Sequence, residues 1–144
     1  MDVKAILDHK GREVATTRPE VSVLSAANRM RASGIGALVV CEDDKTVQGI
    51  IDERQIVWAF GEHAGDIAAL RVADIMRTTV VTCRPDDDIK AVMTKVTTHR
   101  VRHIPVTEGG RLVGMVSIGD IVKSRLQALE LETNVLRDIA LAHR

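Results

Sequence analysis

Val14-Ala15-Thr16-Thr17-Arg18-Pro19 and Val80-Val81-Thr82-Cys83-Arg84-Pro85 are one phrase written twice, and the repetition decides the fold. Each is a short β-branched run stopped by Arg-Pro, and a proline without an amide hydrogen suits a turn or a helix start. Reading outward, residues 14–44 answer residues 80–110, and residues 46–57 answer residues 111–122, with one residue dropped in the second copy's turn. Val40 and Glu42 match Val106 and Glu108, and Gly49, Ile56 and Val57 match Gly114, Ile121 and Val122. Apolar character also matches at Val23/Ile89, Ile35/Val101, Leu38/Ile104, Val47/Leu112 and Ile51/Val116. Shared identity and shared pattern together indicate duplication.

Within each copy the periodicities follow one order. After the proline, Val23, Ala26, Ala27 and Met30 fall at helical spacing, which predicts a helix over 21–33; Ile89, Val92, Met93 and Val96 predict its counterpart over 87–99. Asp86, Asp87 and Asp88 favour that second helix's N-terminus. Strands are then expected at 37–41 and 103–107, polar turns at Glu42–Lys45 and Glu108–Gly110, second strands at 47–51 and 112–117, and final helices from Glu53 and Ile118. The fold class is α/β of the α+β type, with two β-α-β-β-α repeats. A Val-x-x-Ile-Leu/Met segment, Val3–Leu7 or Val72–Met76, precedes each copy. The expected organisation is repeat 1 over 3–60, a linker over 61–71, repeat 2 over 72–125, and a helical extension over 126–144. In that extension Leu126, Leu129, Leu136 and Ile139 form an amphipathic stripe suited to the module itself or to a second subunit.

Composition excludes several classes. The 144 residues carry 20 Lys plus Arg and 20 Asp plus Glu, so there is no basic excess for phosphate neutralisation, and nucleic acid is not an expected partner. Trp58 and Phe60 are the only aromatics besides the histidines, too few for a stacking platform. No apolar run approaches the roughly 18 residues of a membrane span, and the charged opening Met1–Lys10 is unlike a secretory signal. These features predict a soluble, cytoplasmic protein. Cys41 and Cys83 sit in apolar runs and match no zinc or redox spacing, so they read as small buried apolar side chains in a reducing compartment.

Catalytic readings find no support. His99 and His103 are four apart as in a helical zinc pair, but Arg100 stands where a metalloprotease would have Glu, and Pro105 places His103 outside a helix. Gly34-x-Gly36 lacks the third glycine of a dinucleotide fingerprint and precedes a strand where the fingerprint follows one. Neither a P-loop nor a credible nucleophile–base set occurs. The expectation is a protein that is not an enzyme and holds no metal.

The duplicated β-α-β-β-α order resembles the cystathionine-β-synthase (CBS) domain family over roughly residues 3–125, repeated at a period of about 65 residues. The motifs that carry the resemblance are Gly34-Ile35-Gly36-Ala37-Leu38-Val39, Arg102-His103-Ile104-Pro105-Val106, Gly49-Ile50-Ile51-Asp52-Glu53-Arg54-Gln55 and Gly114-Met115-Val116-Ser117-Ile118-Gly119-Asp120. The resemblance implies two copies packed about a pseudo-twofold axis, with two clefts that take adenosine-containing ligands: AMP first, with ADP, ATP, NAD(H) or S-adenosylmethionine as the other candidates. It implies a non-catalytic regulatory module that signals to an effector protein and commonly pairs into a homodimer. A ligand-independent scaffold is the alternative.

In the family each cleft draws on both copies, and a Ser/Thr-x-x-Asp supplies a carboxylate to the ribose hydroxyls, a charge-assisted contact. Ser117 and Asp120 match that motif, which sets them opposite Val14, Ala15, Thr16, Ile35, Gly36 and Ala37 in one cleft; Asp120 as a helix cap is the plainer reading. The first copy departs from the pattern, with Asp52 and Gln55 at the Ser and Asp positions. The other cleft would be walled by Val80, Val81, Thr82, Val101, Arg102 and His103. There Arg54, Arg102 and His103 are candidates to meet phosphates, and a solvated basic edge is the plain alternative.

Overall fold

The computed structural model describes residues 1–143. The chain runs α1 (Val3–Lys10), β1 (Thr16–Thr17), α2 (Val23–Ser33), β2 (Ala37–Val40), β3 (Gly49–Asp52), α3 (Glu53–His63), a 3-10 helix (Ala64–Ala69), α4 (Val72–Ile75), α5 (Ile89–His99), β4 (His103–Glu108), β5 (Arg111–Ser117) and α6 (Ile118–Ala142). Helices start where the sequence offers a cap: Ser22 accepts from the Ser25 amide and Asp88 from the Lys90 amide. The expected linker 61–71 contains the end of α3 and the 3-10 helix.

The first sheet has the order β1-β2-β3, with β1 parallel and β3 antiparallel to β2. In the second, β4 and β5 pair antiparallel, and the expected first strand over Val80–Thr82 shrinks to a single parallel bridge between Cys83 and Val106. One residue explains the difference. In the first copy the Val39 amide donates to the Ala15 carbonyl at 3.2 Å. Pro105 stands at the matching position and has no amide hydrogen to donate. The second copy keeps only the bonds from the Cys83 amide to the Pro105 carbonyl (3.1 Å) and from the Thr107 amide to the Cys83 carbonyl (2.8 Å). The tight β4–β5 turn uses Gly109 and Gly110 with φ of 58° and 78°, a backbone that disfavours other residues.

Each copy has its own apolar core, and each core is completed by the segment that precedes the other copy. Val3, Ile6 and Leu7 of α1 are buried with Cys83, Ile89, Val92, Ile104, Val106 and Val116. Val72, Ile75 and Met76 pack with Ala26, Met30, Leu38, Val40 and Ile51. The backbone bonds that seat the two segments are duplicates. The Val3 amide donates to the Asp87 carbonyl (3.0 Å) and the Lys4 amide to the Pro85 carbonyl (2.8 Å); the Val72 amide donates to the Val21 carbonyl (2.8 Å) and the Ala73 amide to the Pro19 carbonyl (2.9 Å). The shared glycines mark the crossing. A Cβ on Gly114 would stand 2.7 Å from Leu7 Cδ2, and one on Gly49 would stand 2.8 Å from the Arg77 carbonyl oxygen and from Met76 Sδ.

Candidate functional site

The start of α3 and the start of α6 are built alike. Asp52 Oδ1 accepts from the Gln55 amide (3.1 Å) while Gln55 Oε1 accepts from the Asp52 amide (2.7 Å). Ser117 Oγ accepts from the Asp120 amide (3.1 Å) while Asp120 Oδ2 accepts from the Ser117 amide (2.8 Å). Both motifs are capping boxes, which satisfy amides that a helix start leaves open. The cap reading of Asp120 therefore holds, and it leaves part of the carboxylate for other work.

Asp120 Oδ2 also takes a hydrogen bond from Lys10 Nζ at 2.7 Å, and the same ammonium donates to the Met115 carbonyl at 3.0 Å. Burial pushes the Asp120 carboxyl upward, but the bonds from Lys10 and Ser117 outweigh it and hold the group below its ordinary range. Asp120 opens onto a hollow of about 270 Å³ between α1 and α6, whose polar rim includes His9, Lys10 and Lys123.

A second cavity of about 280 Å³ lies between the copies. The first copy contributes Gly36, the N-terminus of α3 (Asp52, Glu53, Arg54) and Val57 and Trp58 one turn on; the second contributes Arg100, Arg102 and His103. Arg54 Nη1 spans the boundary and donates to the Arg100 carbonyl at 3.1 Å, and its guanidinium lies 5.8 Å from the centre of the Trp58 ring. Arg100 ends α5 with a left-handed backbone, φ 53°, at the position where Gly34 ends α2 with φ 64°. Asp52 is buried and already committed: its Oδ2 accepts from Arg77 Nη2 at 3.1 Å, so its charge is compensated before any ligand arrives. The cavity thus combines three arginines and an apolar wall with the carboxylates of Asp52 and Glu53, and the arginine excess suits an anion attached to an apolar ring.

His103 lines the same cavity. Burial is the main influence on its imidazole and lowers its pKa, against the opposing pull of the Asp52 and Glu53 carboxylates, so the ring is neutral at pH 7. Its Nδ1 is buried with no hydrogen-bond partner among the described residues. Its Cε1 would come within 3.3 Å of a Cβ on Gly36, so that glycine makes room for the ring.

The structure therefore brings Arg54, Arg102 and His103 around one cavity. Gly36, expected on the Ser117/Asp120 side, lines this same cavity. Ala15 and Ile35 pack against the first core, Ala37 is buried opposite Asp52, and Thr16 Oγ1 donates to Asp44 Oδ1 at 3.0 Å; Val14 is half-buried. Val101 is buried in the second core, Val80 and Thr82 are half-buried, and the Thr82 carbonyl accepts from Lys95 Nζ at 2.8 Å. Sequence reasoning missed Arg100, Trp58 and the Lys10–Asp120 pair. Arg54 and Trp58 at i, i+4 on one helix was a signal within reach; the Lys10 contact, between residues 110 apart in sequence, had none. Both cysteines are buried, and burial pushes the Cys83 thiol up to about 12. Among the described residues no group of three His, Cys, Asp or Glu side chains is placed to hold a metal ion, and no helix is long and apolar enough to cross a membrane.

Comparison with known proteins agrees with this architecture. The CBS domain family model matches residues 3–62 and again 72–127. The CBS-domain-containing protein ATU1752 from Agrobacterium tumefaciens superposes with a TM-score of 0.84 at 42% identity, over 87% of this chain and 99% of that one. The CBS domain pair of protein MJ0100, solved in complex with 5′-methylthioadenosine and S-adenosyl-L-methionine, superposes with a TM-score of 0.75 at 26% identity, over 88% of this chain and 98% of that one. The mitochondrial CBS domain-containing protein CBSX3 of Arabidopsis thaliana is 33% identical over 107 residues; that stretch is 72% of this chain but only 52% of the plant protein, so this chain spans about half the length of that relative. With two matched domains, two cores and a cavity between them, the chain belongs to the CBS-domain family, as a tandem pair.

Proposed function

We propose that this chain is a non-catalytic regulatory module that holds an adenosine nucleotide between its two copies and passes site occupancy to an effector protein. The observation that carries the reading is the convergence of Arg54, Arg100 and Arg102 from both copies on one cavity, with the half-buried His103 beside them. A phosphate would neutralise the guanidinium groups. AMP is the leading ligand, with ADP, ATP and NAD(H) next. The adenosine ligands of the MJ0100 pair support the ligand class and keep S-adenosylmethionine in the set to be tried.

In the separate hollow beside α1, a ribose contact is proposed at Asp120, whose Oδ1 has no partner among the described residues, with Ser117 beside it. Val14, Ala15, Thr16, Ile35, Gly36 and Ala37 are proposed as the strand edge that receives the base, and Val80, Thr82 and Val101 as the backing of the arginine side. A second copy of the chain is proposed as a standing partner. The alternative of a ligand-independent scaffold draws on one observation, that Lys10 already occupies Asp120 Oδ2.

Calorimetry against AMP, ADP, ATP, NAD(H) and S-adenosylmethionine tests the proposal. Micromolar binding of at least one, weakened about tenfold or more by Arg102→Ala and by added salt, is the expected result. No binding by the parent protein of any of the five hands the argument to the scaffold.

A further inference from the structure

Helix α6 carries two stripes. Ile121 and Ser124 are buried and Arg125 and Ala128 half-buried, which docks one side of the helix on its own module. About a quarter turn away run Val122, Leu126, Leu129, Thr133, Leu136 and Ala140, alternately four and three residues apart. All of these are exposed, Val122 by 47%, Leu126 by 55%, Leu129 by 49% and Leu136 by 61%, and every described residue from 131 onward is exposed. The spacing is a heptad, with Val122, Leu129 and Leu136 at d and Leu126, Thr133 and Ala140 at a. The CBS domain match ends at residue 127 while α6 runs to Ala142, so the helix reaches beyond the matched pair of domains.

We infer that the α6 extensions of two copies of this chain wind together as a parallel, in-register coiled coil. The inference rests on the second-copy reading above and is independent of the ligand. The flanking charges choose both the occupant and the direction. Arg125 and Glu132 occupy g positions and Glu130 and Arg137 occupy e positions. In a parallel pair g faces the following e of the other helix, so Arg125 meets Glu130 of the second copy and Glu132 meets Arg137, each twice by symmetry. The antiparallel register that places Leu126 opposite Leu136 sets Glu130 against Glu130, Glu132 against Glu132 and Lys123 against Arg137. Other antiparallel registers leave one end of the seam unpaired. A membrane surface is a poor occupant, because Glu130, Glu132 and Asp138 outnumber Arg137 and Arg144 on the extension, whereas helices that lie on anionic lipid are basic.

Ala140→Cys tests the pairing, because this exposed seam position adds the only accessible thiol; Cys41 and Cys83 are buried. Facing a positions in a parallel coil lie close enough for a disulfide. With oxidised glutathione, Ala140→Cys is expected to form a reducible dimer at least about tenfold faster than Val135→Cys, which lies off the seam, because pairing holds the thiols at high effective concentration. Adding Leu136→Lys should remove that advantage. A parent protein that sediments as a monomer at micromolar concentration overturns both the second-copy reading and the coil. A dimeric parent whose Ala140→Cys cross-links no faster than Val135→Cys overturns the coil alone.

Discussion

Asp120 and Gln55 hold the same position in their copies and do the same structural work, yet only Asp120 has an oxygen to spare. Gln55 is 7% exposed and its Oε1 is spent on the Asp52 amide. Gln55→Ala should therefore cost stability and leave nucleotide affinity within about threefold, whereas Asp120→Asn should lose roughly 30- to 1000-fold in affinity by calorimetry. An Asp120→Asn protein that binds like the parent would place the ribose elsewhere. Stability adds a second readout. The folded Asp120 carboxyl titrates below its ordinary value of 3.8, so its contribution is present above that value and is lost as pH falls through the folded pKa. The melting-temperature gap between parent and Asp120→Asn, which loses the charge paired with Lys10, should be open at pH 7, at a cost of about 0.2–1 kcal/mol, and close in strong acid. Arg100 offers the opposite trade. It stands in left-handed backbone where the first copy uses Gly34, at a strain of roughly 1 kcal/mol. Arg100→Gly should raise the urea midpoint and weaken phosphate-bearing ligands; a variant that is more stable and binds unchanged would remove Arg100 from the site.

The elements were legible because their signals are local. Helical spacing at Val23–Met30 and Ile89–Val96, and the Gly109-Gly110 turn, each act within a few residues. The matching of α1 with the second core and α4 with the first was not legible. The apolar pattern of Val3, Ile6 and Leu7 says that the segment is buried, and nothing in a periodicity says against which copy. The paired glycines record that choice in the backbone. At Gly49 an added methyl group meets the Arg77 carbonyl, which is backbone and hard to move; at Gly114 it meets only the Leu7 side chain. Gly49→Ala should therefore be the more damaging, at about 2–3 kcal/mol against about 1–2 kcal/mol for Gly114→Ala. Leu7→Ala combined with Gly114→Ala should cost less than the sum of the two, since the truncation vacates the space the new methyl needs. Strict additivity in urea denaturation would mean the contact is not the reason for the glycine.

At the scale of the molecule, the arginine cavity was half legible. Arg54, Arg102 and His103 were candidates from the family pattern, but Gly36 joins them only because the copies meet face to face, a relation between residues distant in sequence. The same interleaving governs stability. Direct bonds between the copies include Arg54 to the Arg100 carbonyl and the Leu112 amide to the Lys45 carbonyl at 2.7 Å. Covalent exchange does more: the first core cannot open without releasing α4, nor the second without releasing α1. The whole chain should then unfold as one cooperative unit, and its single tryptophan makes the test sharp. Trp58 lies on α3 in the first copy, while Leu7 is buried in the second core. Leu7→Ala should cost about 2–5 kcal/mol. The Trp58 fluorescence transition in urea should move to lower denaturant by the same amount as the far-ultraviolet circular dichroism transition. If the Trp58 transition stays in place while the circular dichroism curve splits in two, the copies unfold independently, and the exchanged segments are ornaments on two separate cores.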